Sequence, residues 1–199
     1  GWGAVAAAWG ENGGGPGGSG LFGCDHIEDV ELGFVQTALP ARFRQRLATA
    51  TGGEALEALR TPPSGRSLLG KVYGRVQWIL GVSLLNLFPL PREAGFRESF
   101  AFAGESVDRG YSILVFPEGR HTTDGEMRPF RAGVGLLANN LAIPVVPMRI
   151  DGLFELKKAK KKFALPGTIQ VKIGSPMRFP RESAPEWIAA ELQKAVENL

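Results

Sequence analysis

One of the two histidines in this 199-residue sequence lies within a cluster of acidic residues. His26 follows Asp25 directly, and Glu31 comes five residues after His26. A histidine held by a carboxylate can act as a general base near neutral pH, because the carboxylate fixes the tautomer and stabilises the imidazolium. Across a turn that enters a helix, this separation can bring the two side chains together. The pattern is therefore typical of a base, His26, oriented by a carboxylate, Glu31.

Other interpretations of this segment stay open at this point. One is that the segment is the acidic, solvent-exposed start of a helix, in which the histidine has no catalytic role. A metal site is a poor fit, because one histidine with nearby acids and no second cluster makes a weak ligand set. A nucleophilic thiolate at Cys24 is also a poor fit, because acidic neighbours disfavour the thiolate form.

A second group of polar residues follows a nearly all-apolar stretch, residues 112–116 (SILVF), which predicts a short buried strand. Directly after it come Glu118, Gly119, Arg120 and His121. In α/β sheets, ligands bind just beyond the carboxyl ends of strands. An arginine beside a glycine-containing turn suits a phosphate, because a guanidinium can bind two oxygens. An ordinary polar loop is the alternative interpretation.

Further arginines lie in the same part of the sequence. Arg92 ends an apolar, strand-like run, which alone is weak grounds for a function because most such arginines are surface residues. Arg128 and Arg131 add positive charge after the polar group at 118–121.

Predicted helices and strands alternate along the chain, which indicates an α/β fold. After the polar loop that begins at Pro117, the chain is expected to form a short apolar helix and then a second buried strand. The predicted helices are 39–50, 67–87, 97–109, 132–141 and one that follows a capping box at Ser183–Glu186, and the predicted strands are 112–116, 143–150 and 168–173.

The two ends of the sequence differ in composition. Nine of the first 20 residues are glycine, so residues 1–20 are interpreted as a flexible leader or linker before a domain over 21–199. The first methionine is Met127, and the sequence is interpreted as a fragment or a processed product whose N-terminal part is incomplete.

Composition excludes several classes of protein. A single cysteine excludes a disulfide framework and a zinc ribbon. The net charge is +3, and five lysines within 157–162 can attract phosphate or anionic lipid. Nucleic-acid binding is disfavoured because this basic run has no interleaved aromatic residue. No apolar run reaches the roughly 18 residues of a transmembrane helix, and residues 67–87 predict an amphipathic helix that either packs on the core or lies on a membrane.

In chain order these pieces resemble the glycerolipid acyltransferase family, the lysophospholipid and 1-acylglycerol-3-phosphate acyltransferases. That family carries an Asn-His block with an aspartate five residues after the histidine, an apolar stretch ending in arginine, a Phe-Pro-Glu-Gly block and a Val-Pro-rich strand. Residues 116–119 (FPEG) and 143–152 (IPVVPMRIDG) are similar to the last two blocks. The segments FPEGRHT and RIDGLFELK resemble most the bacterial members fused to an AMP-forming acyl synthetase.

The resemblance implies roles for individual residues and a glycerol-3-phosphate acyltransferase-like fold, with a central, mostly parallel or mixed sheet flanked by helices. His26 takes the role of the base and Glu31 that of the orienting carboxylate, although Asp25 and Glu31 stand where the family has asparagine and aspartate. The family also has an apolar strand before its first block, and the glycine-rich residues 17–23 predict that this strand is missing or disrupted. The substrate-binding roles pass to Arg92, Glu118, Gly119, Arg120 and His121.

The implied activity is transfer of a fatty acyl group from acyl-CoA or acyl carrier protein to a hydroxyl of a lysophospholipid or of 1-acylglycerol-3-phosphate, in phospholipid synthesis. No metal or redox cofactor is expected. The implied location is the cytoplasm or the cytoplasmic face of a membrane, as a peripheral protein. The alternative is a catalytically impaired, lipid-binding member or fragment of the same family.

Overall fold

A six-stranded sheet forms the centre of the structure. The computed structural model describes residues 18–25, 31–52, 67–90, 96–119, 126–154 and 169–199. Its strands stand in the order β3-β2-β4-β1-β5-β6, and β1 to β5 are parallel while β6 is antiparallel to β5. The prediction of an α/β fold with a mostly parallel or mixed sheet is therefore confirmed. The strands are β1 (Leu21–Cys24), β2 (Leu47–Gly52), β3 (Leu87–Leu90), β4 (Ser112–Val115), β5 (Val145–Asp151) and β6 (Gln170–Ile173).

Helices precede and follow these strands along the chain. The predicted helices that begin near residues 67, 97 and 132 are confirmed. In the second and third of these helices, apolar residues at three- and four-residue spacing form the face that packs on the core. The helices are α1 (Glu31–Ala38), α2 (Ala41–Arg44), α3 (Leu68–Leu85), α4 (Phe96–Asp108), α5 (Gly133–Leu141) and α6 (Pro185–Glu197).

Two buried clusters hold helices against the sheet. Successive side chains of a strand point to opposite faces, so Leu21 and Phe22 of β1 belong to different clusters. One cluster joins the sheet to α4, α5 and α6 through buried residues such as Val107, Leu137 and Leu192. The other joins it to α1 and α2 through buried residues that include Val35 and Phe43.

The strand β1, which precedes His26 in the sequence, lies in the interior of the sheet between β4 and β5. All four residues of β1 are buried, and the strand pairs with β4 on one side and β5 on the other. Packing favours its glycine, since a Cβ atom on Gly23 would lie 2.7 Å from Cδ2 of Leu192 and this leucine would have to shift. The prediction that the strand before His26 is missing or disrupted is wrong.

Two local predictions also fail. The predicted helix over 39–50 ends at Arg44, and its second half belongs to the buried strand β2. The pairing of β2 with β3 on one side and with β4 on the other outweighs a composition that favours a helix. The predicted capping box is absent as well. The N-cap of α6 is Ala184 with no side-chain hydrogen bond, and the Ser183 hydroxyl donates instead to the Pro180 carbonyl.

The part of the predicted leader that the structure describes is packed against the sheet. Ser19 is buried, the Gly20 amide donates to the Ser112 hydroxyl, and the Ile113 amide donates to the Gly20 carbonyl. Residues 1–17 lie outside the described residues.

Within the described ranges, no helix has both the length and the apolar character needed to cross a membrane.

Candidate active site

The strands that lead to the first and third sequence blocks end at the same edge of the sheet. The strands β1 and β4 are adjacent and parallel, with Gly23 opposite Val115, so their carboxyl ends lie side by side, about 4.8 Å apart. The chain reaches Asp25 after β1 and residues 116–119 after β4. We call this side, where the five parallel strands end, the carboxyl edge. It is the side on which α/β sheets bind ligands.

Asp25 completes the pairing of β1 with β5. Its side chain is buried, and its Oδ1 atom accepts a hydrogen bond of 2.9 Å from the Ile150 amide. The Cys24 thiol donates to the same oxygen over 3.5 Å. The strand β1 ends at Cys24 while β5 continues to Asp151, so the carboxylate accepts a hydrogen bond at the point where the main-chain pairing stops. This fixes the residue that directly precedes His26.

In the sequence, Asp25 stands out only as a departure from the family pattern, and its hydrogen bond to β5 was not predicted. A polar residue directly after an apolar strand was the available signal, but the partner, Ile150, is 125 residues away in sequence.

The predicted pairing of His26 with Glu31 stays a prediction. His26 lies outside the described residues, and Glu31 is described as the first residue of α1. The structure therefore places the chain on both sides of the His26 segment, at the end of β1 and at the start of α1.

Glu118 ties together the two ends of the polar loop that follows β4. Its side chain is 4% exposed, and Oε2 accepts a hydrogen bond of 2.9 Å from the Arg128 amide. A second hydrogen bond, from the Arg131 amide to the Pro117 carbonyl, closes the same loop over 2.9 Å. The structure thus gives Glu118 a bracing role, and its predicted contact with the substrate stays a prediction.

Gly119 allows an arginine to approach the start of this loop. Its φ angle of +68° is in the left-handed region, which side chains with a Cβ rarely adopt. A Cβ atom at this position would lie 3.1 Å from Nε of Arg131. The exposed Arg131 side chain therefore lies against Gly119, and Arg128 is exposed nearby in sequence. These guanidinium groups provide positive charge that suits a phosphate group.

The remaining predicted site residues, Arg92, Arg120 and His121, lie outside the described residues. The strand that leads to Arg92 is β3, which is separated from β4 by β2 in the sheet. Among the residues that the structure describes, no group of three His, Cys, Asp or Glu side chains is placed to hold a metal ion. The expectations of no metal and no cofactor stay predictions.

Parts of the chain are similar in sequence to known acyltransferases. The family model described as Acyltransferase matches residues 57–151, which contain the second, third and fourth blocks and begin after His26 and Glu31. The human 1-acyl-sn-glycerol-3-phosphate acyltransferase beta is 29% identical over 106 residues, 53% of this chain and 37% of that protein. The 1-acyl-sn-glycerol-3-phosphate acyltransferase of Pseudomonas aeruginosa is 38% identical over 92 residues, 46% of this chain and 35% of that protein. The chain thus spans little more than a third of these relatives' lengths.

The fold also matches a solved structure. The crystal structure of the 1-acyl-sn-glycerophosphate acyltransferase PlsC from Thermotoga maritima superimposes with a TM-score of 0.58 and 20% identity, covering 91% of this chain and 66% of that one. This confirms the predicted acyltransferase-like fold. The family model and the curated relatives show that a large part of the chain, residues 57–151 in the family model, is similar in sequence to acyltransferases that act on 1-acyl-sn-glycerol-3-phosphate.

Proposed function

We propose that this chain is an O-acyltransferase that moves a fatty acyl group from a thioester to the free hydroxyl of 1-acylglycerol-3-phosphate. The observation that carries the proposal is the side-by-side placement of the ends of β1 and β4 at the carboxyl edge. This placement brings the residue before His26 next to the FPEG turn. The names of the curated relatives support the choice of 1-acylglycerol-3-phosphate as the acceptor.

In this proposal His26 is the general base. It takes the proton from the acceptor hydroxyl while the oxygen attacks the thioester carbonyl carbon. The carbon–sulfur bond then breaks, and the proton passes from the imidazolium to the departing thiolate. General-base catalysis of this kind contributes about 10²–10⁴ in rate. Glu31 would hold the imidazole in the required tautomer, as carboxylates do in other histidine-dependent sites.

The acceptor phosphate is held by positive charge at the carboxyl edge. Arg92 and Arg120 are the predicted ligands, and His121 follows Arg120 in the same loop. The exposed side chain of Arg131 beside Gly119 supports this placement. The hydrogen bond from the Arg128 amide to Glu118 joins the described residues on the two sides of this loop. The donor is acyl-CoA or acyl carrier protein, and the reaction takes place at a lipid surface, where an amphiphilic acceptor accumulates.

The experiment is acyl transfer from radiolabelled acyl-CoA, and separately from acyl carrier protein, to matched acceptors. The acceptors are 1-acylglycerol-3-phosphate, 1-acylglycerophosphocholine and a monoacylglycerol of the same chain length. The monoacylglycerol is the control, because it has the hydroxyl and lacks the phosphate. We expect transfer to 1-acylglycerol-3-phosphate at least about tenfold faster than to monoacylglycerol, equivalent to about 1.4 kcal/mol of phosphate recognition.

Two outcomes would contradict the proposal. The absence of transfer to every acceptor by a folded chain would refute the acyltransferase activity. Equal rates with monoacylglycerol would refute phosphate recognition.

A catalytically impaired, lipid-binding member of the family is the second candidate function, and one observation favours it. The first block departs from the family pattern at two positions and lies outside the residues that the family model matches.

A further inference from the structure

A stripe of apolar side chains on α3 faces solvent. Six large apolar residues are between 46% and 82% exposed, and at 100° per residue they fall within an arc of about 120°. They recur along about 16 Å of the helix. We call this set the α3 stripe, and it consists of Leu69, Val72, Tyr73, Val76, Ile79 and Leu80.

The opposite face of α3 attaches the helix to the protein. Gly74 is buried, Trp78 and Val82 are half-buried, and the helix packs on β2 and β3. A surface helix ordinarily turns polar residues to solvent and apolar residues to the core. The solvent side of α3 is apolar instead, and exposed apolar patches of this kind mark contact surfaces.

The charges of α3 select the kind of partner. Its charged residues are Lys71 and Arg75, both basic, and the helix contains no acidic residue. Arg75 is exposed and lies beside the α3 stripe on the helix surface. An exposed apolar face with a basic residue, here Arg75, at its margin is typical of helices that lie on anionic lipid, where acyl chains meet the apolar face and headgroups meet the cation.

The course of α3 relates the stripe to the candidate active site. The helix connects β2 to its parallel neighbour β3, and Asn86, in a left-handed conformation, turns the chain from α3 into β3. A connection between parallel neighbours must return from the end of one strand to the start of the next. The first turns of α3, with Leu69 and Val72, therefore lie towards the carboxyl edge.

We propose that the α3 stripe docks on an anionic lipid surface and holds the carboxyl edge close to it. This inference rests on the proposed function, which supplies an acceptor that is itself an anionic amphiphile within such a surface. It assigns a docking role to residues outside the catalytic machinery.

The test compares two leucine variants in binding to vesicles of phosphatidylcholine with 30% phosphatidylglycerol, a composition of about one anionic lipid in three. Leu69→Gln/Leu80→Gln changes the stripe, and the helix is expected to survive because leucine and glutamine have similar helix propensities. Leu136→Gln on α5 is the matched control, since Leu136 is an exposed leucine away from α3. Circular dichroism verifies that both variants are folded.

We expect the double variant to lose at least about tenfold in vesicle partitioning, and the control to bind as the wild type does. Arg75→Gln should weaken binding to anionic vesicles and leave binding to pure phosphatidylcholine unchanged. Wild-type vesicle binding by the double variant would overturn the proposal. So would a change from a dimer to a monomer in the double variant without loss of vesicle binding, because the stripe would then be covered by a second copy.

A failure of this inference can be told apart from a failure of the proposed function. Vesicle binding requires no turnover, so it tests the α3 stripe by itself. Turnover by the wild-type chain of a short-chain acceptor, below its micellar concentration and without vesicles, tests the acyltransferase activity by itself.

Discussion

The replacement of Asp25 by alanine tests how the end of β1 is held. The carboxylate accepts the Ile150 amide over 2.9 Å, and both residues are buried. In Asp25→Ala the Ile150 amide loses this acceptor in a region with little access to water. A buried donor left without its acceptor costs about 1–3 kcal/mol. In a chain of this length each kcal/mol lowers the melting temperature by about 2–4 °C, so the expected loss is about 2–12 °C.

Asp25→Asn is the matched control. Its amide oxygen can accept the same hydrogen bond at the same distance, without the added strength of a charged acceptor. We therefore expect Asp25→Asn to lie between the wild type and Asp25→Ala in melting temperature, closer to the wild type. The measurement is thermal unfolding followed by circular dichroism, with urea unfolding as an independent measure of the free energy.

The same pair of variants tests the link to catalysis. Asp25 directly precedes His26, so a shift of the strand end moves the base, and a displacement of about 1 Å can cost about 10² in rate. We expect Asp25→Ala to lose about that factor in acyl transfer at temperatures where it is folded, and Asp25→Asn to retain most of the rate. An Asp25→Ala variant with the wild-type melting temperature and rate would refute this reasoning.

Three further changes have effects on stability that follow from local packing and charge. Gly135→Ala places a Cβ against the Pro185 carbonyl where α5 meets α6, so it should cost about 1–3 kcal/mol in urea unfolding; an unchanged midpoint would contradict the packing. Thr49→Val should raise the melting temperature, because the buried Thr49 hydroxyl has no hydrogen-bond partner among the described residues; a lower melting temperature would show that it has one. Burial raises the pKa of Asp151, but the hydrogen bonds and charges of Lys172 and Arg149 together outweigh burial, and the pKa lies below its ordinary value. Asp151→Asn should therefore be less stable than the wild type at pH 7, and the difference should shrink as the pH falls below about 4; a difference that is constant with pH would refute this.

The elements that could be predicted from sequence are those whose pattern is local. The helix α4 and the strands β4 and β5 carry apolar residues at helical spacing or in short buried runs, and the predicted ranges agree with the structure. The position of the FPEG turn after β4 was predictable for the same reason. Periodicity reports which face of an element is buried, and this is decided within each segment.

The predictions that failed depend on residues distant in sequence. Glycine disfavours a strand locally, yet in β1 the close approach of the Leu192 side chain favours a residue without a Cβ atom at Gly23. The sequence of β2 has a composition typical of a helix, and it forms a strand because it pairs with β3 on one side and with β4 on the other. The bond from Asp25 to Ile150 has the same origin, since strand order is set by pairings that no local pattern encodes.

The most direct test of the proposed function is acyl transfer to 1-acylglycerol-3-phosphate by the wild type beside His26→Ala and Glu31→Asp. We expect His26→Ala to lose about 10²–10⁴ in rate with an unchanged circular dichroism spectrum, as the removal of a general base requires. Glu31→Asp restores the family residue at that position and should keep or raise the rate. Wild-type rates in a folded His26→Ala variant would contradict the assignment of His26 as the base.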